Sequence, residues 1–169
     1  MAKRIFIDMD GTIADIHGEE NWYERVKNEE DFFKKLNPFT NLIVALFLIS
    51  LKYPKEEVEL FSLSAIEKSF AKTAKDEWIA KEASFINESN RIYTKCGDRK
   101  ADYVGPITKD DILLDDYSKN LIEWVEAGGT AIKVRNNINC SGKTWKGDTI
   151  YNQDSVSKIM QKLDLVIND

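Results

Sequence analysis

Two aspartates separated by one residue, Asp8 and Asp10, follow directly on the apolar run Ile5-Phe6-Ile7 and precede Gly11 and Thr12. Carboxylates this close repel each other unless a cation or a shared proton offsets the charge. Mg²⁺ meets that need, because it prefers oxygen ligands, keeps several waters and commonly takes one or two carboxylates together with substrate phosphate. With such an ion present, Asp8 would stay ionised and able to attack phosphorus, giving an aspartyl-phosphate. Asp10 would protonate the leaving oxygen and then activate the hydrolytic water. Gly11 lets the backbone turn sharply and leaves amides free to face phosphate oxygens. The pattern points to phosphoryl transfer, with Asp8 and Asp10 as both catalytic and metal-ligating residues.

A second apolar run ends in the same way. Asp111–Tyr117 reads Asp-Ile-Leu-Leu-Asp-Asp-Tyr. In a parallel sheet its two terminal acids, Asp115 and Asp116, would lie beside Asp8 and Asp10 and complete an oxygen-rich metal site at the carboxyl ends of the strands. Asp116 is the preferred direct ligand and Asp115 its support.

Asp8-Met9-Asp10-Gly11-Thr12 after an apolar strand resembles the first motif of the haloacid-dehalogenase-like (HAD) phosphohydrolases. That resemblance implies a Rossmann-like core, Mg²⁺ as cofactor and three further features. A Ser or Thr should end the second strand and donate to a phosphate oxygen; Ser64 fits best and Ser62 competes with it. A lysine should offset the charge of nucleophile and phosphate. Lys100 is preferred over Lys95 and Lys109, because Asp98-Arg99-Lys100-Ala101-Asp102-Tyr103 resembles the nucleotidase version of this segment. A helical cap is expected between the first and second strands. There Phe32-Phe33-Lys34-Lys35-Leu36-Asn37-Pro38, running on to Leu42-Ile43-Val44-Ala45-Leu46, resembles the cap passage of the 5'(3')-deoxyribonucleotidases. The resemblance thus implies a phosphomonoesterase for nucleoside monophosphates, deoxyribonucleotides foremost. A phosphatase for another small phosphate ester, or a non-catalytic binding protein on the same fold, are the alternatives.

The elements that must position these residues follow from local patterns. Short helices are expected over Glu19–Lys27 and Glu29–Leu36, with Asn37-Pro38 as the start signal for a third. Leu42, Ile43, Leu46 and Ile49 keep helical spacing, and Tyr53-Pro54 stops it. Val58–Leu63 reads as the second strand, Ile66–Ile86 as a long helix and Arg91–Tyr93 as a third strand. Ser118–Ala127 is an amphipathic helix closed by Gly128-Gly129. Thr130–Val134 is a further strand and Asp154–Leu163 a closing helix. The loop Asn136–Asp148 between them offers Trp145 to stack on a base or to cover the core. This alternation predicts an α/β sheet of about five mainly parallel strands. The expected division is a catalytic core of 1–16 and 54–169 with a small helical cap over 17–53.

Composition sets the outer bounds. A hydrophobic fraction of 43% over 169 residues suits one folded core. The net charge of −5 argues against a nucleic-acid polymer as partner. A small-molecule phosphate ester remains compatible, since a metal locally outweighs the global field. Cys96 and Cys140 lack metal-ligand spacing and read as free thiols of a reducing compartment. His17, the one histidine, reads as a surface polar residue. Leu42–Leu51 is about half the length that spans a bilayer. With a core strand at the start of the chain and no room for a signal peptide, a cytoplasmic protein without a membrane partner is expected.

Overall fold

The computed structural model describes residues 2–139 and 144–169. Six strands form one all-parallel sheet in the order β3-β2-β1-β4-β5-β6, that of doubly wound Rossmann sheets. The strands are β1 (Lys3–Ile7), β2 (Val58–Ile66), β3 (Arg91–Lys95), β4 (Asp111–Asp115), β5 (Thr130–Arg135) and β6 (Thr149–Tyr151). The helices are α1 (Trp22–Asn28), α2 (Thr40–Lys52), α3 (Ser69–Glu82), α4 (Ser118–Glu126) and α5 (Val156–Ile167). At the centre, Ile5 of β1 lies between Leu60 of β2 and Ile112 of β4. The chain leaves β1 for β2 on one side and reaches β4 on the other, so a crevice opens at the carboxyl ends of β1 and β4.

Strand alternation decides which helices cover which face. Ile5, Ile7, Ile112, Leu114, Ile132 and Val134 turn to one side and pack with buried residues of α2, α3 and α5. Phe6, Leu63, Leu113 and Ala131 turn to the other, onto Leu121 and Trp124 of α4. Trp145 packs against this second cluster and donates its indole N–H to the Asp148 carbonyl.

Several element boundaries differ from expectation. The second strand runs three residues further, because Ala65 and Ile66 pair with Thr94 and Lys95 of β3; the following helix therefore starts at Ser69. The segment expected as a helix over Glu29–Leu36 holds only a 3-10 turn, Phe33–Lys35. Leu36 is already extended, with ψ of 137°, and Pro38 disfavours helix at Asn37 after it. β6 is a strand beyond the five expected, and with Ile150 its only buried residue it carries no readable period.

The 17–53 segment divides in two. α2 is the crossover helix between β1 and β2, and its Leu42, Ile43, Ala45, Leu46 and Ile49 belong to the main core. The preceding stretch holds α1, which buries no residue, and then Phe32, Phe33 and Leu36, which insert into that same core. Trp78 of α3 donates its indole N–H to the Leu36 carbonyl at 2.8 Å, and Lys34 pairs with Glu77 at 2.9 Å. Of these two ties the buried one is the stronger, since exposed ion pairs contribute little. Cys96 is a free, exposed thiol, and Cys140 lies outside the described residues. No helix among the described residues is long and apolar enough to cross a membrane.

Trp78→Phe should test the anchoring of this segment. Loss of the buried indole donor and of part of the ring volume should destabilise the protein by about 1–3 kcal/mol in urea unfolding. An unchanged midpoint would mean that Trp78 does not hold Leu36.

Candidate active site

β1 ends at Ile7, and the backbone N–H of Asp8 still donates to the Leu114 carbonyl of β4 at 2.9 Å. That last rung brings the acid after β1 beside the acids that end β4. Asp8, Asp115 and Asp116 each place a carboxylate oxygen within 4.8 Å of the other two. All three are buried or nearly so, Asp115 completely.

The turn after Asp8 is built for close approach. The N–H groups of Ile13 and Ala14 both donate to the Met9 carbonyl, at 3.0 and 2.9 Å. Gly11 sits at φ +76°, and a Cβ there would stand 2.5 Å from Asp116 Oδ2 and 3.0 Å from His17 Nε2. Only glycine permits both the left-handed backbone and that approach. Thr12 donates from Oγ1 to Asp8 Oδ2 at 3.4 Å.

Lys100 is the cation of the cluster. It lies on a 3-10 turn, Lys100–Tyr103, that packs under α4, and it is 4% exposed. Its ammonium donates to Asp8 Oδ1 at 2.5 Å and to Asp115 Oδ2 at 2.7 Å. Lys95 and Lys109, the two alternatives, are exposed. Asp115 is further held by the Tyr117 N–H and by Asn120 Nδ2, each at 2.8 Å. Asp116 accepts from Asn136 Nδ2 at 3.0 Å, and His17 Nε2 lies 3.7 Å from it.

The other expected residues group elsewhere in the site. Asp10 stands outside the three-acid cluster: its Oδ2 accepts from Lys75, a residue of α3 that sequence reasoning did not single out. Ser64 lies within β2 rather than at its end, and its Oγ accepts from the same ammonium at 3.1 Å. Ser62 is also fully buried, and its Oγ has no hydrogen-bond partner among the described residues. Lys75 escapes a sequence search because a lysine in a mixed-charge helix reads as solvated; burial at 1% exposure is a tertiary fact. Asn136 had a weaker signal, an asparagine just past the end of β5. His17 is more than a surface polar group: its ring meets Trp22 edge to face at 5.0 Å, and it lines a small cleft of about 110 Å³ with Asp15, Phe39 and Asn136.

The electrostatics favour an added cation. Burial pushes the Asp8 carboxyl up to about 8; Lys100 opposes this, while Asp115, Asp10 and Asp116 reinforce it. Burial also raises Asp116, and Asp115 adds to that shift against His17 and Asn136. Burial works against the Lys100 ammonium too, yet Asp115 and Asp8 outweigh it and hold the group charged. Three carboxylates facing one ammonium leave surplus negative charge and only oxygen donors, a set that fits Mg²⁺.

No family model matches the chain, and no curated protein does. Among solved structures, a HAD-superfamily hydrolase from Ehrlichia chaffeensis superposes with a TM-score of 0.56 at 10% identity, covering 99% of this chain and all of that one. The HAD domain of effector protein Lem4 from Legionella pneumophila, solved as an inactive mutant, gives 0.53 at 14% identity over 99% of this chain and 97% of that one. A chain of the Pnkp1/Rnl/Hen1 complex gives 0.53 at 17% identity over 79% of this chain, which spans 46% of that longer one. What is shared at these identities is the fold. The six-stranded parallel core has the same fold as these HAD structures.

The raised carboxyl groups carry a stability prediction. An acid whose folded value lies above its unfolded value binds its proton more tightly when folded, so stability falls as pH rises between the two. In chelator, the protein should lose stability between about pH 4 and pH 8 more steeply than its Asp8→Asn variant. Mg²⁺ at about 100 times its Kd should restore about 2.7 kcal/mol at pH 8, seen as a rise in Tm. Equal pH slopes for the two proteins, with no response to Mg²⁺, would contradict this electrostatic account.

Proposed function

We propose that this protein is a Mg²⁺-dependent phosphomonoesterase that hydrolyses nucleoside monophosphates, deoxyribonucleotides foremost, through an aspartyl-phosphate on Asp8. The observation that carries this reading is the convergence of Asp8, Asp115 and Asp116 within 4.8 Å at the ends of β1 and β4, with Lys100 bridging Asp8 and Asp115. Mg²⁺ would be held by Asp8 and Asp116, with Asp115 in support, and would neutralise charge on the phosphate and the acids.

Asp8 attacks phosphorus, and Lys100 stabilises the charge that gathers there. Asp10 gives its proton to the departing oxygen and takes one from the water that later cleaves the acyl phosphate. Ser64, whose Oγ accepts from Lys75, would donate its hydroxyl hydrogen to a phosphate oxygen. His17, Phe39 and Asn136 line a small cleft, and His17 and Asn136 both approach Asp116.

A second reading keeps the chemistry and changes the substrate. Phe32 and Phe33, the aromatics of the nucleotidase-like cap phrase, are 0% and 2% exposed and pack the core instead of facing the cleft. That favours a phosphatase for another small phosphate ester. Phosphate release from a panel of nucleoside and sugar monophosphates, with Mg²⁺ and with chelator, separates the two. Metal-dependent release is expected, and Asp8→Asn should lower kcat by about 10⁴-fold or more while the variant remains folded. Substantial turnover by that variant would contradict the nucleophile assignment.

A further inference from the structure

Lys75 lies in the middle of α3, outside the cluster of Asp8, Asp115 and Asp116, and only 1% of it is exposed. A buried ammonium is costly unless every N–H finds a partner. It has three donors and no acceptor. At Lys75 these go to Asp10 Oδ2, to Ser64 Oγ at 3.1 Å and to the Ala65 carbonyl at 2.6 Å. The ring of Phe33 closes over the ammonium, its centroid 4.4 Å away. With its three donors engaged, Lys75 has none left for a substrate phosphate. It can act on the chemistry only through Asp10 and Ser64.

The two oxygens of Asp10 differ as a result. Oδ2 is held by Lys75, whereas Oδ1 is shielded from solvent and has no hydrogen-bond partner among the described residues.

We propose that Lys75 is a positioning residue, which fixes Asp10 through Oδ2 so that its carboxyl is held in place to exchange the proton with the leaving group. The inference rests on the phosphatase reading above. As the bond from Asp8 to phosphorus forms, the bond from phosphorus to the leaving oxygen breaks and its electron pair departs on that oxygen. The oxygen takes the proton from the Asp10 carboxyl, leaving a carboxylate that still faces the Lys75 ammonium. Phe33 comes from the segment before α2, so the same contact ties that segment's packing to the acid.

Leaving-group dependence separates positioning from simple structural support. A nucleoside 5'-monophosphate departs as an alkoxide that needs a proton, whereas 2,4-dinitrophenyl phosphate departs as a stable phenolate that does not. Lys75→Met should lower kcat/KM for the first by about 10²–10⁴-fold and for the second by no more than about threefold. Equal losses on the two esters would overturn the proposal, and so would wild-type values on both. Circular dichroism and urea unfolding check that the variant folds. If it does not, Phe33→Leu, which leaves the hydrogen bonds of Lys75 in place but uncovers the ammonium, should show the same dependence with smaller amplitude; no dependence there would overturn the proposal. Wild-type protein inactive on both esters with Mg²⁺ would overturn the phosphatase reading and this inference with it. An active wild type beside an unaffected variant would overturn the inference alone.

Discussion

Three buried carboxylates share a space under 5 Å across with a single ammonium, and most of the local architecture answers to that crowding. Lys100 can sit between Asp8 and Asp115 only because β1 and β4 are parallel neighbours whose carboxyl ends coincide. Gly11 is required because Asp116 comes within 2.5 Å of where a side chain would start. Asp115 spends its oxygens on Lys100, a backbone N–H and Asn120, which leaves Asp8 and Asp116 as the acids with capacity for a cation. An arrangement of this kind has little to offer stability, since burying like charges together is unfavourable. Its cost is understandable as preparation for a metal and a phosphate.

The site is assembled from both faces of the sheet. Lys100 arrives from the α4 side, on a turn whose Ala101 packs with Leu121 and Trp124. Lys75 arrives from the opposite side, on a helix whose Ala71, Ala74, Trp78 and Ile79 belong to the main core. Each ammonium holds one of the two acids of the first motif, Lys100 holding Asp8 and Lys75 holding Asp10. Two carboxylates two residues apart are thereby given separate environments, which is how one site assigns different roles to the same chemical group.

What the sequence made legible was local: apolar runs that stop at acids, glycines that mark turns, and helix periods interrupted by proline. Those signals were enough to point to Asp8, Asp115 and Asp116 and to the parallel sheet that gathers them, whereas Lys100 came from the family resemblance of its segment. Long-range pairing was less legible. Ser64 read as the end of a strand because nothing nearby reveals that Ala65 and Ile66 pair with β3. The burial of Lys75, the contact of His17 with Asp116 and the use of Phe32 and Phe33 as core residues all depend on what lies across the fold. At 10–17% identity, the solved structures share the architecture with this chain and leave its substrate to be read from its own side chains.

The most direct test of the account is a search for the covalent intermediate. Protein mixed with substrate and Mg²⁺, quenched in acid within a single turnover and digested, should yield the peptide that contains Asp8 heavier by one phosphoryl group. Fragmentation should place that group on Asp8. Phosphate released at the same rate with no phosphorylated peptide at any quench time would contradict nucleophilic attack by Asp8 and would point to direct attack by water.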